Sequence, residues 1–455
     1  MSRGKKLGIL GGILLVAILA LVLISQRTDQ RENEEEGTEI LTIPVEKITS
    51  VAWEYEGEDL RFVKHGDTWV CPGQESFPVD SSLLETMISQ LESIRAYKEI
   101  SGNDHLADYG LDPAVLTLTV SADRDYTIRF GNENDLDGQV YALWDGTVFL
   151  TDSLLRAQFS KRALELVQQE VIPALDTIQS VEIRREGEVL NLEYDDSGER
   201  TYSKEYVWLG SYGGSTVPLD SEETETFLSN VKTLRWTGTA AYPADSGELA
   251  EYGLQEPSAQ INVRYRDEDG KTDDFSILIG SETDSGECYV MIPGSDRIYR
   301  TGASLREAAI STTVEDLMPR KILPVDWDSV KSMVVSLGGK DFSLSRNEGG
   351  DKIEDAQKGK QIWKNDDKKG TTDLTEALNA LAAMQGEVRM AEASRQVLFS
   401  LTMERNTANY PQLILVIGEG EDGECIVSIN DTQFWTVDRE TADAVIDQFQ
   451  KSLTQ

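Results

Sequence analysis

Side chains able to do chemistry are unevenly supplied in this chain. Its 455 residues include 81 Asp and Glu against 43 Lys and Arg, a formal net charge of −38, with two His and three Cys. So large an acidic excess repels phosphate backbones, which excludes nucleic acid as a partner. His65 and His105 are too few for a His-based metal site or a Ser-His-Asp triad. Cys-x-x-Cys, His-Glu-x-x-His and nucleophile-elbow patterns are absent. Gly418-Glu419-Gly420 has a Gly-x-Gly spacing, but its acidic surroundings repel phosphate. Paired carboxylates leave glycoside hydrolysis open, and composition singles out no pair. No catalytic residue, cofactor or metal site is assigned.

Calcium is the natural ligand for clustered carboxylates. With Gly138 in the invariant glycine position of an EF-hand loop, the closing Glu position falls on Trp144; Gly270 places it on Ser276, and Gly423 places Gly418 and Gly420 at ligand positions. All three fail as EF-hands and read as solvated hairpin turns, with weak divalent binding of another kind as the alternative. Cys71, Cys288 and Cys425 are odd in number and far apart, so they imply no disulfide framework.

The elements that would carry these side chains recur along the chain. Ile48-Thr49-Ser50-Val51 returns as Ile178-Gln179-Ser180-Val181 and more loosely as Val330-Lys331-Ser332-Met333. A strand pair, a short strand with Trp69, Trp208 or Trp363, and an amphipathic helix behind Asp80, Asp220 or Thr372-Asp373 follow in each copy. Leu106-Ala107-Asp108-Tyr109-Gly110-Leu111 then recurs as Leu249-Ala250-Glu251-Tyr252-Gly253-Leu254, and a hairpin and two more strands close the unit. In the third copy Tyr410-Pro411 begins the strand that follows this point. In the first two copies a last helix is expected to run on towards Ile172-Pro173 and Leu323-Pro324. The fold class is α+β: an N-terminal transmembrane helix, then three tandem, mainly antiparallel sheet-plus-helix repeats.

Because each Trp returns at the same place, it marks a reused core position rather than a ligand platform. Tyr109-Gly110 and Tyr252-Gly253 mark a structural corner in which Gly supplies a positive φ. Cys288 and Cys425 stand where the first copy has Val140, so they read as packing groups. His65 and His105 have no counterparts and read as solvated surface.

Leu7 to Ile24 is an uncharged apolar run behind Arg3, Lys5 and Lys6. At ~1.5 Å per residue it is long enough to cross a bilayer, and the basic flank keeps the N-terminus inside. The expected layout is residues 1–25 as cytoplasmic tip and uncleaved signal anchor and 26–40 as polar tether. Residues 41–172, 173–323 and 324–455 form the three repeats, the third divergent. The lipid bilayer is thus a partner through Leu7 to Ile24, the chain is single-pass in the cell membrane, and its bulk is extracytoplasmic.

The anchor, the Trp-bearing strand, the Leu-x-x-Tyr-Gly-Leu stretch and the Gly-ended strand before an acidic turn resemble the bacterial family called domain of unknown function 4340. That resemblance covers about residues 41–450 in tandem copies and supplies no established catalytic residues to carry over. It also implies partnership with an ABC-type transport system that has a gliding-motility-like auxiliary subunit. The expected function is a non-enzymatic accessory or scaffold of such a complex. The alternatives are an envelope module binding polysaccharide or peptide and a carboxylate-dependent hydrolase.

Overall fold

The computed structural model describes residues 37–101, 105–134, 138–346, 360–366, 370–389 and 396–454. The expected membrane anchor and most of the tether lie outside the described residues. Among the described residues no helix is long and apolar enough to cross a membrane. Two compact units are present: one comprises the chain up to Val171 together with Gly238–Tyr242, the other Ile172–Thr237 with Pro243–Gln455. Antiparallel sheets with a few helices make the protein α+β, built from tandem repeats.

In the first unit the main sheet runs, edge to edge, through Thr68–Val70, Glu58–His65, Ser50–Tyr55, Leu116–Ser121, Asp125–Glu133, Val140–Trp144, Thr147–Thr151 and Lys98–Ile100. Strict alternation explains it: Val51 and Trp53, Leu116, Leu118 and Val120, and Ile128 and Phe130 are buried on one face. Helix Ser81–Ser89 is capped by Asp80, whose carboxylate accepts from the Leu83 amide at 2.9 Å, and it contributes Leu84, Met87 and Ile88 to that core. A separate two-stranded sheet pairs Thr38–Leu41 with Ile94–Ala96.

The second unit repeats this order twice. One sheet contains Ser215–Leu219, Trp208–Tyr212, Glu188–Tyr194, Thr177–Arg185, Ala259–Arg266, Thr272–Glu282, Glu287–Met291 and Ile298–Gly302, in that spatial sequence. The other contains Gly370–Asp373, Ile362–Asn365, Lys340–Ser345, Val330–Leu337, Val397–Arg405, Gln412–Glu419, Cys425–Ile429, Gln433–Val437 and Glu387–Arg389. Helices Ser221–Lys232, Thr375–Ala383 and Arg439–Thr454 bury apolar stripes, while the opposite face of the Thr177–Arg185 sheet carries polar side chains.

Several local expectations need correction. The last helix of the first copy ends at Phe159 rather than running on to Pro173, because Glu58 and Glu165 accept the next free amides, from Ala163 and Arg162, and hold a short 3-10 turn instead. In the second copy the helix stops at Ser311, where Thr313 starts and caps a second, shorter helix. Each Trp is expected near the end of its short strand, but Trp208 opens Trp208–Tyr212 and Trp69 sits inside Thr68–Val70. Val397–Arg405 is a full central strand of the third copy, with Phe399, Leu401 and Met403 alternating inward, and Gln412 rather than Tyr410 begins its neighbour. The stretch Lys64-His65-Gly66-Asp67 is expected to be a turn, but His65 ends the strand Glu58–His65.

Candidate functional site

Trp69, Trp208 and Trp363 are 4%, 1% and 0% exposed, within the sheet-and-helix cores of their copies. Trp208 Nε1 donates to Glu225 on the following helix at 3.0 Å. Lys64 and the Arg346 guanidinium cover the Trp69 and Trp363 rings at 5.6 and 4.9 Å. None of these three indoles presents an open face on which a ligand could stack.

Tyr109-Gly110 and Tyr252-Gly253 form a corner whose logic becomes plain only in three dimensions. Gly110 and Gly253 adopt φ of 67° and 68°, which turns the chain so that the preceding Tyr carbonyl is pressed against Gly131 or Gly280 on a neighbouring strand. The Tyr252 carbonyl accepts the Ser281 amide at 2.9 Å. Arg156 and Arg306, from helices Ser153–Phe159 and Ala303–Ser311, donate to the Gly131 and Gly280 carbonyls at 2.7 and 3.1 Å. Tyr109 and Tyr252 rest on Tyr141 and Tyr289, ring centroids 4.8 and 4.2 Å apart. The Tyr-Gly-Leu stretch and the Gly-ended strand are therefore two halves of one packing device.

Cys288 and Cys425 are fully buried, as is Val140 at the matching position, while Cys71 is half-buried. His65 and His105 are exposed. Among the described residues no group of His, Cys, Asp or Glu is arranged to hold a metal ion.

The polar concavity that stands out lies on the open face of the second copy's sheet, with a volume of about 720 Å³. Cross-strand register sets its chemistry. Asn191, Glu182, Asn262 and Ser276 stand directly opposite one another across four strands, forming one row. Glu193, Ser180, Arg264 and Asp274 make the next row. The matching central row of the first copy is Arg61, Ala52, Thr119 and Thr127. In the third copy it is Ser343, Val334, Thr402 and Ile414, with Val334 and Ile414 each 37% exposed. One backbone plan thus presents three different surfaces, and one of them is an amide and carboxylate row.

That row is tied together by hydrogen bonds. Gln260 Nε2 and Ser276 Oγ both donate to Asn262 Oδ1 at 2.8 Å, and Asn262 Nδ2 donates to Glu182 Oε1 at 2.9 Å. Arg184 holds both Glu182 oxygens, at 2.7 and 3.3 Å. The Arg184 hydrogen bond, helped by Asn262 and opposed by partial burial, keeps the Glu182 carboxyl below its ordinary range, so it is ionised at neutral pH. A general acid for glycoside cleavage needs the opposite shift. Every residue of this network escapes the apolar landmarks by which the copies align; position-by-position comparison of Ala52, Glu182 and Val334 is the signal that finds it.

The second copy also has a segment, Asp195–Val207, where the first has only Gly66-Asp67 between strands. Its Tyr202 and Tyr206 are 2% and 3% exposed and belong to the core of the third copy. Their hydroxyls donate to the Ile322 and Lys321 carbonyls, each at 2.8 Å, and Arg405 donates to the Tyr202 carbonyl at 2.9 Å. Burial pushes both phenols well above their ordinary pKa. The second and third copies are interlocked through named side chains.

Repeated antiparallel sheets, each backed by helices and varied on its open face, define a tandem-module α+β protein. The family model described as Domain of unknown function (DUF4340) matches the sequence twice, over residues 69–245 and 213–390. The chain belongs to that family. Each match starts near a Trp-bearing strand and ends in the next copy, so the family unit is out of phase with the sheets. No curated protein matches the chain.

Proposed function

We propose that this protein is a membrane-anchored, extracytoplasmic, non-enzymatic scaffold, an accessory of an ABC-type transport complex, whose second repeat carries its recognition surface. The anchor rests on the apolar run Leu7 to Ile24 behind three basic residues, and the transporter partnership on resemblance to the family. The observation that carries the recognition role is the divergence of three matched sheet rows, only one of which is a bonded amide and carboxylate array. A catalytic surface would concentrate perturbed acids and bases in a cleft; here the Glu182 carboxylate is held by Arg184 and, in the next row, Asp274 by Arg264. Crosslinking in native membranes followed by affinity purification tests the assignment. Recovery of a permease or auxiliary subunit is expected, and recovery of none contradicts it.

A further inference from the structure

Resting on that reading of the second repeat's open face as a recognition surface, we infer that it binds a neutral, polyhydroxylated ligand, a glycan segment laid across the Asn191-Glu182-Asn262-Ser276 row. Charge is the first argument. The three carboxylates lining the concavity each face an arginine: Glu182 with Arg184 at 2.7 Å, Asp274 with Arg264 at 2.9 Å, and Glu193 with Arg200 at 2.8 Å, the last shared with Asp195 at 3.9 Å. In a chain of net charge −38 this patch is locally neutral, so neither a cationic nor an anionic ligand gains a Coulombic advantage there.

Hydrogen-bond direction is the second. Protons run from Gln260 and Ser276 into Asn262 and from Asn262 and Arg184 into Glu182. With its oxygen doubly occupied, Asn262 has one N–H left to give, while Glu182 beside it, with Oε1 filled by Arg184 and Asn262, retains one lone pair on Oε2 to accept. Strands are ~4.8 Å apart, so a fixed donor lies next to a fixed acceptor. A pair of neighbouring hydroxyls, each both donor and acceptor, satisfies that pattern. The third argument is composition. The two rows are built of Asn, Glu, Ser, Arg and Asp, with the exposed Val189 and Tyr194 beside them rather than within them, whereas the third copy's matching row itself exposes Val334 and Ile414. A volume of about 720 Å³ accommodates several sugar rings.

The test is isothermal titration of the full-length protein in detergent micelles with short neutral oligosaccharides of glucose, mannose, galactose and N-acetylglucosamine. An extended uncharged peptide and an anionic polysaccharide serve as competing probes. Binding of a neutral oligosaccharide with little salt dependence is expected. Glu182→Gln and Asn262→Ala are expected to weaken it about tenfold or more, and Thr119→Ala and Thr402→Ala to leave it unchanged. Asn191→Ala, at the exposed end of the row, supplies the reading if Asn262→Ala does not fold. No saccharide binding, binding indifferent to the row variants, or preference for the anionic probe overturns the inference. Peptide binding lost in Glu182→Gln overturns the sugar class and leaves the recognition surface standing. No binding of any probe, together with no subunit crosslinked in native membranes, removes both.

Discussion

The backbone carbonyl of Tyr252 occupies the space that a Cβ on Gly280 would need, and Tyr109 stands in the same relation to Gly131. The obstructing atoms are backbone, so neither side can yield cheaply. Gly280→Ala must displace the corner or the strand, and overpacking of this kind costs ~1–3 kcal/mol. A lowered urea midpoint, read by tryptophan fluorescence, is the expected result. An unchanged midpoint would show that the close approach is not needed.

Tyr206, seated in the third copy's core, donates to the Lys321 carbonyl at the end of the second copy. Tyr206→Phe removes one hydroxyl and leaves that carbonyl unpaired, a loss of about 1 kcal/mol. Tyr206→Ala also opens a cavity and should cost ~3–5 kcal/mol, by analogy with Phe→Ala. Hydrogen-exchange mass spectrometry should find the cores around Val181 and Met333 opening together in the wild type and separately in Tyr206→Ala.

Alkaline pH should loosen the same lock. Folding raises the pKa of Tyr202 and Tyr206 above the ordinary value of 10.0, through burial. Below about pH 10 both states keep these phenols protonated and stability is full. Above it the unfolded chain releases protons that the fold retains, so stability falls as pH rises. Denaturation midpoints should decline above about pH 10, and less steeply in the Tyr202→Phe, Tyr206→Phe double variant.

Thiol reactivity should separate the cysteines. Cys288 is buried and its thiol is pushed up to about 11 by burial; burial raises Cys425 as well. Cys71 is half-buried and is the most accessible of the three. A maleimide at neutral pH should label Cys71 first in the native protein and the other two only in denaturant. Prompt labelling of Cys288 would contradict its role as a packing group.

Much of the architecture was legible because apolar residues repeat at strand and helix periods and short motifs recur in order. Trp69, Trp208, Trp363 and the two Tyr-Gly corners could be placed from such recurrence. What escaped depends on partners distant in sequence. Glu182 and Asn262 meet only after register brings two strands together, and the Tyr252 carbonyl finds Gly280 through a turn. Tyr202 lies among polar residues, and nothing in its sequence neighbours announces that it enters the next copy's core. Val397–Arg405 alternates as a strand should, but the third copy lacks the Tyr-Gly-Leu marker that precedes the matching strand in the other two.

The central claim is that recognition is concentrated on one of three matched faces. A photoreactive amino acid placed in turn at Arg61, Asn191 and Ser343, the matched ends of the three rows, tests this in native membranes. Adducts with a subunit or envelope glycan formed from the Asn191 position, with little from the other two, are predicted. Equal adducts from all three positions, or none from Asn191, would contradict the account.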